Sequence, residues 1–205
     1  MGGVRETIRR YRVEQIFRLK ISLAVVLFFC AYEGFLGIYY RSPWFGALAA
    51  YYIMLAGARV LLLYGAHRLG DDRAAALRLY RLCGGVLLLL TVALGAICYN
   101  AIFRGESSSY PGYLIYGVAA FAFYNITLAI RNVLKYRKRD DLIVSAEKIL
   151  SLASALVSMF SLQTSLISTF GDGDAAFAHT MGLATGGAFF GIILLLALRM
   201  IFRRR

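Results

Sequence analysis

From residue 21 onward the chain is a succession of long apolar runs separated by short polar breaks. Six runs stand out, at 21–40, 44–66, 82–103, 111–131, 149–170 and 180–201. Each is close to the ~20 residues with which an α-helix crosses a hydrocarbon core of ~30 Å. The breaks are rich in turn formers: RSP at 41–43, RGESSSYPG at 104–112 and GDGDAAFAH at 171–179. Pro43 suits the first turn of a helix, where its missing N–H leaves no bond unmade, and Pro111 again precedes a run. The pattern predicts an all-α fold, an integral membrane bundle of six transmembrane helices forming one domain over residues 1–205. The helices are expected as three successive hairpins of one orientation. Residues 4–20 are patterned differently. Val4, Ile8, Tyr11 and Ile16 fall near one side of a helix ringed with arginines. That predicts a basic amphipathic segment lying in the membrane interface before the first span.

Polar residues inside the runs are the candidates for function. Ser151, Ser154, Ser158, Ser161, Ser165 and Ser168 alternate steps of three and four along the fifth run. A spacing of about 3.5 keeps such a row on one slowly twisting seam. Small residues there let helix backbones approach closely, and the sixth run offers a partner surface in Gly182, Gly186, Gly187 and Gly191. The other reading of the row is a hydrated lining, supported by Gln163 and Thr164 beside it. Glu33 sits roughly 10 Å from the outer end of the first span at about 1.5 Å per residue. An intramembrane carboxylate is costly and is a candidate ion or proton site, or a structural group bonded to Tyr51, Tyr52 or Asn100. Arg59 lies about 22 Å from the outer end of the second span, some 12 Å below Glu33. It is expected to snorkel toward the inner face rather than meet Glu33. Tyr51, Tyr52, Asn100, Asn125 and Gln163 complete the candidate ligand set with Glu33. Tyr52, Arg59 and Tyr64 repeat as Tyr124, Arg131 and Tyr136 at the same spacings, a faint sign of hairpin duplication.

Composition supports the membrane reading. Of the 205 residues 60% are hydrophobic, against roughly 45–50% in a soluble domain, and the mean hydropathy is +0.66. The net charge of +12 would suit nucleic acid, but its placement argues otherwise. Of the 23 Lys and Arg residues, Arg41 and Arg104 fall in outer loops and Arg59 within a run; the rest collect on one side. That asymmetry puts both termini in the cytoplasm. It implies a multi-pass protein of the plasma (cytoplasmic) membrane, with anionic lipids at the cytoplasmic face as partners and no nucleic acid. A homo-oligomer or another membrane protein is a further candidate partner. The basic start is long and the following run is of span length, so the first helix is expected to be an uncleaved anchor. Cys30, Cys83 and Cys98 have no metal-ligand spacing and read as small apolar residues. His67 and His179 lie at opposite boundaries. Asp172 and Asp174 read as a solvated turn, with loose ion binding the alternative. No metal site, cofactor or catalytic motif is expected, which argues against an enzyme.

The stretches GIYYRSPWFGALAAYYIMLAGA and DDLIVSAEKILSLASALVSM have a layout similar to the transmembrane part of the cation diffusion facilitators. That resemblance implies six helices, cytoplasmic termini and a charged inner loop between spans four and five. The family holds its metal with His and Asp one turn apart in its second and fifth helices. Here Tyr51, Tyr52 and Leu55, and Leu150, Ser151 and Ser154, occupy the corresponding stretches. The family's cytoplasmic C-terminal domain has no counterpart before the FRRR ending. The resemblance therefore carries over no ligand, and a separate group of small bacterial multi-pass proteins is the other placement. Two functional classes follow: a small ion or solute transporter or channel-like protein, and a non-transporting assembly partner or scaffold subunit.

Overall fold

Six helices follow one another in the computed structural model: α1 (Gly2–Tyr39), α2 (Pro43–Arg68), α3 (Arg73–Phe103), α4 (Leu114–Lys135), α5 (Leu142–Phe170) and α6 (Ala175–Ile201). The structure describes residues 2–68, 72–103, 113–135, 141–170 and 175–203. Local chemistry explains the starts of three helices. Pro43 opens α2. Asp72 accepts the backbone N–H groups of Ala74 and Ala75 at 3.0 and 3.1 Å, capping α3. Asp141 does the same for α5, with Ile143 N at 2.9 Å. Each cap satisfies donors that a helix start leaves unbonded.

Windows within five helices are long and apolar enough to cross a membrane: Leu19–Tyr39, Pro43–Arg68, Arg73–Tyr99, Leu142–Phe170 and Ala176–Ile201. Among the described residues the 22-residue α4 is not one of them, although it is as apolar on average as α2 and α3. The chain is thus all-α, as the apolar runs predict. The separate interfacial helix is not found. Residues 2–20 continue into the first span as one helix, α1, because nothing between Lys20 and Ile21 breaks it. Expectations for the loop 104–112, for Asp172 and Asp174, and for the side chains of Val4, Ile8, Tyr11 and Asn100 lie outside the described residues.

Three helices, α2, α3 and α5, touch one another at the centre. Each carries an outer helix: α1 packs on α2, α6 on α3 and α4 on α5. Burial follows this order, with 50% of the α2 window and 56% of the α5 window inside the structure against 22% for α1 and for α6. The three-hairpin expectation needs correction at its middle member. Among the described residues, α3 and α4 bring no Cα atoms within 8 Å of each other. Small residues explain the choice α3 makes instead. A Cβ on Gly84 would lie 2.7 Å from Met200 Cβ, so α3 and α6 meet where Gly84 has no side chain. At one end of this pair Arg81 Nη2 donates to the Arg203 carbonyl at 3.0 Å, and the Arg203 guanidinium lies over the Tyr80 ring. The basic ends of the helices thus gather on one side of the bundle.

Overpacking of a tight contact is expected to cost about 1–3 kcal/mol. Gly84→Val is therefore expected to lower the thermal unfolding midpoint in detergent. Gly85→Val, where a Cβ would meet nothing within 4 Å, is expected to leave it near the parent value.

Candidate functional site

Two buried seams face each other across α2 and α5. On α2, Phe45, Leu48, Tyr52, Leu55, Arg59, Leu62 and Ala66 are all buried, a row of alternating three- and four-residue steps. On α5, Ser151, Ser154, Ser158, Ser161 and Ser165 are buried likewise, and Glu147 precedes them on the same stripe. This is the periodicity of left-handed helix packing. Two ionisable residues on these seams meet. Arg59 Nε lies 3.6 Å from Glu147 Oε1, with the side chains 2% and 13% exposed. At that length the contact is an ion pair but not a hydrogen bond. Ser151 Oγ donates to the same Glu147 oxygen at 3.2 Å.

This corrects the snorkelling expected of Arg59. Its position on the buried stripe of α2 keeps it from the surface, and a carboxylate on a neighbouring helix meets its charge instead. Sequence reasoning missed Glu147 because the fifth apolar run was started at 149, whereas α5 begins at Leu142 and carries Glu147 into the bundle. A signal was available: Glu147 continues the serine row by one four-residue step.

Beside the pair is a cavity of about 320 Å³. Leu19, Ile21, Ser22, Val25 and Val26 of α1 form an apolar wall. Tyr124, Asn125, Leu128, Arg131 and Asn132 of α4 face it, and Glu147, Lys148 and Ser151 of α5 with Arg59 of α2 form the floor. Among the described residues, three cations and one carboxylate thus line the space. Arg59 Nε and Nη1 and Glu147 Oε2 are buried and make no hydrogen bond to any described residue. The cavity exists because α1 and α4 bring no Cα atoms within 8 Å of each other among the described residues. The two positions paired by the internal repeat, Arg59 and Arg131, meet in its wall.

Toward the opposite end the gap is closed by aromatics. Phe29 of α1 stacks on Phe121 of α4 at an interplanar angle of 7°, and Tyr52 packs edge-on against both. Beyond them Glu33 is 0% exposed. Tyr51 and Tyr52 lie about two turns from Arg59 along α2. Both Tyr51 and Tyr52 are buried, and their hydroxyls make no hydrogen bond to a described residue.

The remaining candidates are dispersed. Asn125 is buried and its Nδ2 donates weakly, at 3.5 Å, to Ser158 Oγ, which itself donates to the Ala155 carbonyl at 2.9 Å. Gln163 is half-buried and Ser168 exposed, both away from the cavity. Gly182 and Gly186 are buried; the Gly186 Cβ position is 3.1 Å from the Phe160 ring of α5. The Gly191 Cβ position meets nothing within 4 Å. Of the serine row, Ser151 is the member that lines the cavity. Among the described residues, no three His, Cys, Asp or Glu side chains gather where they could hold a metal.

The fold and site define a class: an all-helical chain whose five apolar helices are compatible with a multi-pass membrane protein. Within that class the chain matches no protein-family model, no curated protein and no solved structure.

Removing one partner of a buried ion pair typically costs about 3–5 kcal/mol, since it strands the other charge. Arg59→Ala and Glu147→Ala are each expected to lower the detergent melting midpoint strongly. The Arg59→Met/Glu147→Leu double variant is expected to fall less than the sum of the singles, read by the same melts. Cysteine accessibility checks the division of the serine row. Ser158→Cys and Ser161→Cys are expected to resist an aqueous thiol reagent, while Asn132→Cys in the cavity wall is labelled.

Proposed function

We propose that the protein is a six-span transporter of the plasma membrane with both termini cytoplasmic, and that the cavity at its basic end is the chamber receiving a negatively charged solute. One observation carries the reading: a cavity of about 320 Å³ lined, among the described residues, by Arg59, Arg131 and Lys148 with one carboxylate, Glu147. That volume lies at the lower end of ligand pockets, roughly 300–1,000 Å³. An intramembrane cation that faces a cavity marks a solute path more often than a structural contact. The asymmetry of basic residues supports the orientation, which puts the cavity in the inner half of the membrane. The role is non-enzymatic and needs no cofactor. Glu33, beyond the aromatic closure, belongs to the same path as its outer carboxyl group.

Proteoliposomes containing the purified protein, assayed with a panel of small anions, test the reading. Saturable anion flux is expected, falling by about tenfold or more in Glu33→Gln and in Arg131→Gln, a loss of roughly 1.4 kcal/mol in barrier lowering, with melting midpoints near the parent value. Flux of cations in place of anions would overturn the anion chamber; silence toward the whole panel with stable co-purification of another membrane protein would replace the transporter by the assembly partner.

A further inference from the structure

The cavity has two kinds of wall, and a small soluble anion uses one of them. Its charged side is Arg59, Arg131 and Lys148; its other side is the apolar face Leu19, Ile21, Val25 and Val26 of α1. The gap between α1 and α4 faces outward from the bundle, since these are outer helices that share no close backbone approach. Ile21 and Tyr124 on its two lips are 41% and 44% exposed. At about 1.5 Å per residue, Arg59 lies roughly 13 Å inside the α2 end at Arg68 and Lys148 roughly 9 Å inside the α5 start at Leu142.

Resting on the reading of the cavity as an anion chamber, we infer that its ligand is a lipid phosphate. The phosphate monoester enters sideways between α1 and α4, and its chain lies along the apolar face of α1. The sign of the charge selects the headgroup. Among the described residues the lining is more basic than acidic, with Arg59 and Arg131 beside Glu147, which suits a phosphate that carries up to two negative charges near neutral pH. A zwitterionic headgroup would bring its own cation into that field. Arg59 supplies the second, independent indication. It is 2% exposed, and its Nε and Nη1 donors have no hydrogen-bond acceptor among the described residues. A guanidinium fork with spare donors matches the geometry of phosphate oxygens. The α4 wall adds neutral donors in Asn125, Asn132 and Tyr124. The Phe29–Phe121 stack sets the depth the headgroup reaches.

Detergent-purified protein is titrated with dioctanoyl phosphatidic acid, and binding is read by thermal shift and native mass spectrometry. The comparison probes are dioctanoyl phosphatidylcholine, dioctanoylglycerol and glycerol 3-phosphate. Saturable binding of the phosphatidic acid is expected, with each comparison probe weaker by about tenfold or more. Arg131→Gln and Lys148→Gln are each expected to lose about tenfold, the scale of one charge-assisted hydrogen bond. Ser22→Trp, which fills the cavity without altering charge, is expected to lose binding as well. Arg199→Gln, an exposed cation of α6 outside the cavity, is expected to bind like the parent. Equal response to phosphatidylcholine would overturn the inference, as would an Arg199→Gln loss matching that of Arg131→Gln. Glycerol 3-phosphate binding as tightly as the lipid would overturn the lipid occupant and leave a soluble phosphate in its place. Because binding is read without flux, specific lipid binding with silent proteoliposomes would sink the transporter and leave the site standing.

Discussion

A guanidinium that is 2% exposed on the packed stripe of a central helix cannot reach the protein surface. Arg59 must find its counter-charge within the protein, and it does so at Glu147 on the neighbouring central helix. Stranding either charge in a low dielectric would cost several kcal/mol, far more than any single apolar contact along the seam returns. The pair thereby fixes the relative height of α2 and α5. Sliding one helix by a turn would move the charges about 5.4 Å apart while leaving most Leu, Ala and Ser contacts replaceable. Everything else hangs from that register: α1 on α2, α4 on α5, and between the two outer helices the crevice that becomes the cavity. One carboxylate oxygen also accepts from Ser151, so the serine row begins at the ion pair and not in an unrelated packing motif.

Helix number and all-α character could be read directly, because length and hydropathy of a run depend only on the residues inside it. Pro43 marked the start of α2 for the same local reason. The pairing of α3 with α6 was not readable. It depends on Gly84 receiving Met200 from a helix more than a hundred residues away, and short connections favour the sequential hairpin that the chain does not use. Arg59 was misjudged because depth was considered without azimuth. Its steps to Tyr52, Leu55 and Leu62 place it on the buried stripe, where an inward-pointing stem cannot reach the surface. Glu147 was lost to a boundary: a charged residue at the start of a helix resembles loop until a cap, here Asp141, shows where the helix begins.

The serine row shows how one periodic pattern can serve two environments. From Ser154 to Ser165 the side chains are buried, and Ser158 returns its proton to its own helix at Ala155 while Asn125 reaches it from α4. Such hydroxyls narrow the helix without demanding water. Ser151, on the same stripe, opens onto the cavity and touches Glu147. The change is made by α1 standing away from α4 at this level, not by any change in α5 itself. Sequence periodicity specified the stripe; only the neighbouring helix decided which part of it is dry.

Between the Arg59–Glu147 pair and Glu33 the polar groups are present but interrupted. Tyr51 and Tyr52 span the interval with buried hydroxyls, yet the Phe29–Phe121 stack fills the space between α1 and α4 at that level. An aromatic contact of this kind contributes about 0.5–1.5 kcal/mol beyond its buried area. Parting α1 from α4 at that level would lose that apolar contact alone, whereas parting α2 from α5 at Arg59 would leave two charges without their partners.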